Sequence, residues 1–147
     1  MEGISLPKLS IDPTDIDMCF VCGRNNPIGL KVKFRLEGNK AVAEFTPTEF
    51  HQGWKGVVHG GIIQTLLDEG MSWAAIFAGL VTVSAKMEIR WKRPANVGEM
   101  LLISSSLTRN TRRLVEAEAI VSLKDGTVVA EANGLMYVVT REGNKRA

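Results

Sequence analysis

A histidine, two glycines and an aspartate at a fixed spacing are the residues of this chain best suited to chemistry. His59-Gly60-Gly61 opens an apolar stretch that runs to Ala78, and Asp68 follows nine residues after the histidine. Burying an unpaired carboxylate is costly, so Asp68 is expected to be paired, exposed in a cleft or functional. The glycines fall in a first helical turn, where free N–H groups and the helix dipole can bind a developing oxyanion or polarise a carbonyl.

The helical repeat divides this stretch into a narrow polar stripe and an apolar face. The stripe lies within about one hundred degrees and contains Gln64, Thr65, Asp68 and Ser72. The apolar face contains Leu66, Leu67, Met71, Trp73, Ala74, Phe77 and Ala78. Glu69 lies about one hundred degrees from Asp68, on the side of Trp73, and is interpreted as a structural or rim charge.

The length and charge of the chain limit the classes of function. A chain of 147 residues is expected to form one main domain with a substantial core, and a net charge of +2 gives no reason to expect a nucleic-acid partner. No stretch is apolar and long enough to span a bilayer, so no membrane partner is expected. The first residues lack the pattern of a secretory signal, which favours a cytoplasmic location.

Two cysteines form the single CxxC motif, at Cys19 and Cys22. A zinc site would need further ligands, and the chain has only two histidines, His51 and His59, both distant in sequence. Free thiols or simple packing are therefore favoured, and no metal is predicted. A redox role is also disfavoured, because the glycines, asparagines and proline of residues 23–29 predict a loop where a thioredoxin-like site needs a helix.

The remaining pattern predicts an α+β domain in which an antiparallel sheet wraps around one long central helix. The helix is expected from His59 or Gly60 to about Gly79. Strict alternation over residues 81–92 predicts a strand that places Ser84 on a polar face with Thr82 and Lys86. Further strands are predicted at residues 31–37, 41–45, 100–108, 113–123 and 127–140. The predicted organisation is an irregular arm over residues 1–18, the domain over residues 19–142 and a flexible tail over residues 143–147.

With this order of elements, three motifs carry a resemblance to a known family. They are CFVCGRNNPIGL at residues 19–30, GVVHGGIIQTLLDEG at residues 56–70 and RPANVGE at residues 93–99. The chain resembles the hotdog-fold acyl-CoA thioesterases, in particular the PaaI-type branch of the 4-hydroxybenzoyl-CoA thioesterase superfamily. The resemblance implies that the Gly60 N–H polarises a thioester carbonyl, that Asp68 acts as base or nucleophile, and that Ser84 helps to hold water. It implies no cofactor beyond the coenzyme A of the substrate.

One position departs from the family pattern. Some relatives carry an asparagine six residues before the HGG histidine, where this chain has Gly53, and the adjacent His51 and Gln52 are the nearest substitutes. His59 is a candidate for proton exchange with substrate, but capping of the helix is the favoured interpretation of this residue.

A single helix cannot bring the two main groups to one thioester. Gly60 and Asp68 lie about 12 Å apart along the helix axis, whereas both must reach the same carbonyl group. Two chains with antiparallel central helices would bring Gly60 of one chain to Asp68 of the other, which predicts at least a homodimer and allows a dimer of dimers. Gly61, Gln64, Thr65 and Ser72 are expected near the substrate. Arg90, Arg93, Arg112 and Arg113 are candidates for binding the phosphates of coenzyme A.

Two other functions remain open at the level of sequence. The same fold could bind acyl-CoA without turnover, with the acid and the HGG motif only shaping a pocket. A hotdog dehydratase or hydratase is the second alternative, although the chain lacks that family's proline-rich histidine segment. A thioester hydrolase is favoured over both.

Overall fold

A computed structural model describes residues 9–141. The predicted tail at residues 143–147 and the first eight residues of the predicted arm lie outside the described residues. Between residues 9 and 141 there are one α-helix, α1, one short 3-10 turn and six strands. Their bounds are β1 Arg35–Glu37, β2 Lys40–Phe45, the 3-10 turn Glu49–His51, α1 Gly60–Phe77, β3 Leu80–Trp91, β4 Leu101–Asn110, β5 Leu114–Leu123 and β6 Val128–Arg141. In this part of the chain no helix is both long and apolar enough to cross a membrane.

The six strands form one antiparallel sheet in the order β1-β2-β4-β5-β6-β3. The helix α1 packs against β2, β3, β4, β5 and β6, so that the sheet wraps around it. The buried helix residues Leu66, Leu67 and Met71 belong to the same core cluster as Leu101 and Val121 of the sheet. The predicted α+β architecture is therefore confirmed, and β3 is the last strand of the sheet, with β6 as its neighbour.

The helix divides into faces as predicted, with one exception. Leu66, Leu67, Met71 and Ala74 are buried, because together they form the side that packs on the concave face of the sheet. Ala78, which the periodicity assigns to the apolar face, is exposed. It is the C-cap residue of α1, and its N–H bonds to the carbonyls of the preceding turn, so the chain leaves the helix before Ala78 reaches the core.

The first predicted strand is much shorter than the pattern indicates. Only Arg35–Glu37 pairs with β2, whereas alternation predicts a strand from residue 31. The N–H of Val32 instead donates to the carbonyl of Val21, and Val32 is buried. The alternation of this segment therefore comes from burial outside a strand pair: Val32 is bonded to the loop that contains Cys19 and Cys22, and Phe34 stacks on Trp73 of α1.

A bulge in β3 changes the faces that alternation predicts. The register with β6 shifts between Ser84 and Lys86, where Ala85 is the extra residue. Such a bulge re-aims the neighbouring side chains. Ser84 faces the helix before the bulge, and Met87 packs against the core after it. The prediction that Ser84 shares a polar face with Lys86, opposite the apolar residues of this strand, is therefore wrong.

Candidate active site

The start of α1 is organised by His59, which is its N-cap residue. His59 Nδ1 accepts the N–H of Gly61 at 2.8 Å, and the backbone N–H of His59 donates to the carbonyl of His51 at 2.9 Å. Nδ1 therefore carries no proton in this arrangement. The cap uses the N–H of Gly61, while the N–H of Gly60 makes no hydrogen bond to any described residue. Of the two glycine amides, that of Gly60 is thus the one open to a ligand.

Trp91, at the end of β3, contacts the same helical turn. Its indole Nε1 donates to the carbonyl oxygen of Gly60 at 3.2 Å. This bond ties the peptide group between Gly60 and Gly61 to the end of β3, although about half of Trp91 stays exposed. Sequence analysis did not identify this residue, and the available signal was its position at the end of the alternating strand, just before Pro94.

Asp68 and Ser84 form the central pair of the site. The Ser84 hydroxyl donates to Asp68 Oδ1 at 2.5 Å within one chain. Asp68 is half-buried and Ser84 is exposed, so the pair stands at the border between core and solvent. The bulge at Ala85 turns Ser84 toward the helix, so the two residues meet within one chain and no subunit contact is needed to bring them together.

The pair opens into a cleft of about 500 Å³ between α1 and β3. The cleft is lined by Gly61, Gln64, Thr65, Asp68, Ser84, Ala85, Lys86 and Met87. Three of the four residues predicted near the substrate therefore lie with Asp68, and the fourth, Ser72, is not part of this lining. Thr65 Oγ1 donates back to the carbonyl of Gly61 at 2.8 Å, which ties it to its own helix.

Replacing Ser84 by alanine is expected to lower the turnover of Asp68-dependent chemistry by about ten- to a hundredfold, because a hydrogen bond to a charged group contributes about 1.5–3 kcal/mol. Ser84→Thr keeps the hydroxyl on a strand position that tolerates β-branching, and it should retain most of the activity. The measurement is kcat for both variants beside the unchanged chain. Equal rates for Ser84→Ala and the unchanged chain would show that Ser84 has no role in the chemistry of this site.

The predicted arginines do not line this cleft. Arg93 pairs with Glu99 at 3.4 Å, in the turn that follows β3. Arg112 and Arg113 are exposed in the turn between β4 and β5, and Arg90 is exposed on β3. In the part of the chain that the structure describes, none of the four contacts Asp68 or Ser84, and their proposed binding of phosphates has no support from the single chain.

The two substitutes for the missing family asparagine are engaged elsewhere. His51 Nδ1 accepts the N–H of Thr48 at 2.9 Å, and Gln52 Oε1 accepts the N–H of Gly56 at 2.9 Å. Burial lowers the pKa of His51, which favours the neutral ring that this hydrogen bond requires. Both side chains therefore stabilise the connection before α1, and His51 contributes its backbone carbonyl to His59.

A second cluster forms on another side of the helix, where Cys19, Cys22 and Glu69 meet. Cys19 Sγ donates to Glu69 Oε1 at 3.6 Å, and the three side chains are all half-buried. The thiols are not joined in a disulfide. Burial, together with the neighbouring Glu69 and Cys19, raises the pKa of Cys22 well above its usual range. Cys22 is therefore a weak nucleophile at neutral pH, since the thiolate is the reactive form.

Comparison with known proteins identifies the family. The thioesterase superfamily model (4HBT) matches residues 55–130, which include the helix start, Asp68 and Ser84. Mouse acyl-coenzyme A thioesterase THEM4 is 33% identical over 92 residues, which are 62% of this chain and 40% of that relative. This chain belongs to the thioesterase superfamily. It spans less than two-thirds of the length of that relative.

Solved structures resemble the fold. A hypothetical thioesterase protein of Streptococcus pneumoniae TIGR4, determined with coenzyme A, superposes with a TM-score of 0.71 at 19% identity, covering 75% of this chain and 90% of the other. The E. coli PaaI protein from the phenylacetic acid degradation operon gives a TM-score of 0.71 at 19% identity, covering 76% and 82%. The predicted hotdog fold is confirmed by these similarities.

Proposed function

We propose that this chain hydrolyses an acyl-CoA thioester to a carboxylic acid and free coenzyme A. The observation that carries the proposal is the 2.5 Å hydrogen bond from Ser84 to Asp68 at the border of a cleft of about 500 Å³. Ser84 gives its proton to this bond, so its oxygen stays free to accept from a water molecule. A carboxylate that can act as base or nucleophile, beside a hydroxyl that can hold water, suits the hydrolysis of a thioester.

Two features of the relatives support the choice of substrate. The mouse relative is named an acyl-coenzyme A thioesterase, and a structural neighbour was determined with coenzyme A. The cleft of a single chain is open, and no arginine that could bind a phosphate lines it. Most of the coenzyme A is therefore proposed to bind to residues beyond this cleft. Acyl specificity depends on the depth of the completed cleft.

The proposed site combines two chains. Gly60 and Asp68 lie on one helix, about 12 Å apart along its axis, so one thioester cannot meet both in one chain. The strand β3 carries twelve residues and pairs with β6 on one side, which leaves its other edge as a template for a second copy. Pairing of two such edges about a twofold axis supports an arrangement in which Gly60 faces Asp68 of the partner subunit.

In the proposed reaction, the Gly60 N–H and the dipole of α1 stabilise the oxyanion that forms on the thioester oxygen. Asp68 either removes a proton from the attacking water or attacks the carbonyl carbon itself to form an anhydride that water then opens. In both routes the C–S bond breaks and coenzyme A leaves as its thiolate. Trp91 ties the first turn of α1 to the end of β3 through its hydrogen bond to the Gly60 carbonyl oxygen, which belongs to the peptide group that follows the proposed donor.

The test is a thiol-release assay on aryl, short-chain and long-chain acyl-CoA thioesters with the purified chain. We expect enzyme-dependent release of coenzyme A from at least one class, following saturation kinetics. Binding of acyl-CoA measured by calorimetry without any release would contradict the proposal and identify a binding module instead. Release that is independent of enzyme concentration would equally contradict it.

A further inference from the structure

Cys19 and Cys22 of the CxxC motif have no part in the proposed hydrolysis. The fold nevertheless brings a carboxylate, that of Glu69, next to them, which their spacing in the sequence does not reveal. Glu69 is fifty residues from Cys19 in the chain, and Oε1 of Glu69 lies 3.6 Å from Cys19 Sγ. Sγ of Cys22 joins them, and the three ligand atoms all lie within 4.8 Å of one another. Two sulfurs and one carboxylate oxygen thus converge from the loop before β1 and from α1.

We propose that Cys19, Cys22 and Glu69 bind one Zn²⁺ ion, with water as the fourth ligand. Binding displaces one proton from each thiol to solvent, and the two thiolates and the carboxylate then coordinate the ion. Thiolate ligands favour zinc over calcium and magnesium, which prefer oxygen, and tetrahedral geometry suits a set of two sulfurs and two oxygens.

The distances fit this geometry. With Zn–S near 2.3 Å and Zn–O near 2.0 Å, a sulfur and an oxygen in a tetrahedral site lie about 3.5 Å apart, and two sulfurs lie about 3.8 Å apart. The separation of 3.6 Å between Cys19 Sγ and Glu69 Oε1 already matches the first value. The upper bound of 4.8 Å exceeds these two values by about 1.3 and 1.0 Å, and rotation of the side chains can supply such shifts.

The surroundings hold the three ligands in place. The N–H of Gly23 donates to the carbonyl of Cys19 at 2.9 Å, and a Cβ at Gly23 would overlap the backbone of Cys19 and Asp17, so this tight turn requires glycine. Glu69 Oε1 also accepts the indole N–H of Trp73 at 3.2 Å. A hydrogen bond of this kind orients a metal-binding carboxylate.

An entry path and compensating charge are also present. A pocket of about 560 Å³ opens beside Cys22 and Trp73, so water and a metal ion can reach the cluster. Two thiolates, one carboxylate and one Zn²⁺ leave one negative charge. Arg24, Lys31 and Lys33 line the same pocket and can offset it. The proposed ion would fasten the loop of residues 17–29 to α1, one residue beyond Asp68 and on a different side of the helix.

The test uses the full chain, purified under reducing conditions without oxygen, stripped with a chelator and titrated with Zn²⁺ or Co²⁺. We expect about one metal ion per chain and, with Co²⁺, a thiolate charge-transfer band in the near ultraviolet. Cys22→Ser should abolish the band. Glu69→Gln, which keeps an acceptor for Trp73, should weaken Zn²⁺ binding by at least about tenfold.

Asp68→Asn is the matched control, because it neutralises the neighbouring acid on the other side of the helix and should leave Zn²⁺ affinity unchanged. Zn²⁺ should also raise the Tm of the unchanged chain and of Asp68→Asn, but not of Cys22→Ser. Absence of binding at micromolar Zn²⁺, a Co²⁺ complex without the charge-transfer band, or a stable Cys19–Cys22 disulfide that excludes metal would each overturn the proposal. Hydrolysis of acyl-CoA is measured separately, so the proposed reaction and the metal site can fail independently.

Discussion

Asp68→Asn is expected to lower kcat for thioester hydrolysis by at least about a hundredfold, the range for losing a general base or nucleophile. The amide has the shape of the carboxylate and can still accept the hydrogen bond from Ser84 that measures 2.5 Å in the unchanged site. It cannot take a proton from water, and it is a poor nucleophile. The loss should therefore appear in kcat while the fold is retained, which thermal unfolding of both proteins checks.

Glu88→Gln provides the control for this substitution. Glu88 is exposed on β3, outside the lining of the cleft, and its ion pair with Lys86 is a surface contact that contributes little. The same carboxylate-to-amide change should leave kcat within about twofold at this position. Full activity of Asp68→Asn would show that Asp68 has no role in the reaction, and Glu69, the adjacent acid, would become the next candidate.

Gly60→Pro is expected to lower kcat by about a hundredfold or more, because it removes the N–H proposed to stabilise the oxyanion. Proline fits the first position of a helix, where no intrahelical partner exists for an N–H. His59, the preceding residue, has φ −59° and ψ 133°, a conformation that a following proline allows. The variant should therefore fold, and the unfolding transition should stay close to that of the unchanged chain.

Gly60→Ala is the matched control for the missing N–H. A Cβ at this position would lie 3.5 Å from Nε1 of Trp91, an ordinary contact, and the backbone amide would remain. We expect Gly60→Ala to keep most of the activity. Equal activities of Gly60→Pro and Gly60→Ala would show that the Gly60 N–H has no role in the reaction.

The two variants together test whether each site draws on two chains. Co-expression with different tags and two affinity steps isolates a mixed dimer of one Gly60→Pro chain and one Asp68→Asn chain. If each site is built from both chains, the mixed dimer contains one intact site and one site with both substitutions. Its activity should then be about half that of the unchanged dimer. A mixed dimer as inactive as either parent, or a monomer that hydrolyses the substrate by itself, would refute the shared site.

Much of the fold could be predicted from the periodicity of apolar residues in the sequence. The apolar face of α1, the helix start at Gly60 and the antiparallel strands after it follow from local patterns, since burial on one face imposes a repeat that short stretches of sequence retain. Within the described residues, the segment before β1 shows the limit of this reasoning. Burial of Val32 against a loop produces the same alternation as burial in a sheet.

The sequence by itself determined which groups are available: an HGG turn at a helix start, Asp68 on a polar stripe, and a CxxC motif. Only the tertiary structure decided which of them meet. The bulge at Ala85 turns Ser84 toward Asp68, and Glu69 meets the cysteines across fifty residues of chain. The helical and strand periods predict only which face of its own helix or strand a side chain occupies. A shift in register, or the packing of a loop on a helix, depends on contacts between segments that are distant in the chain.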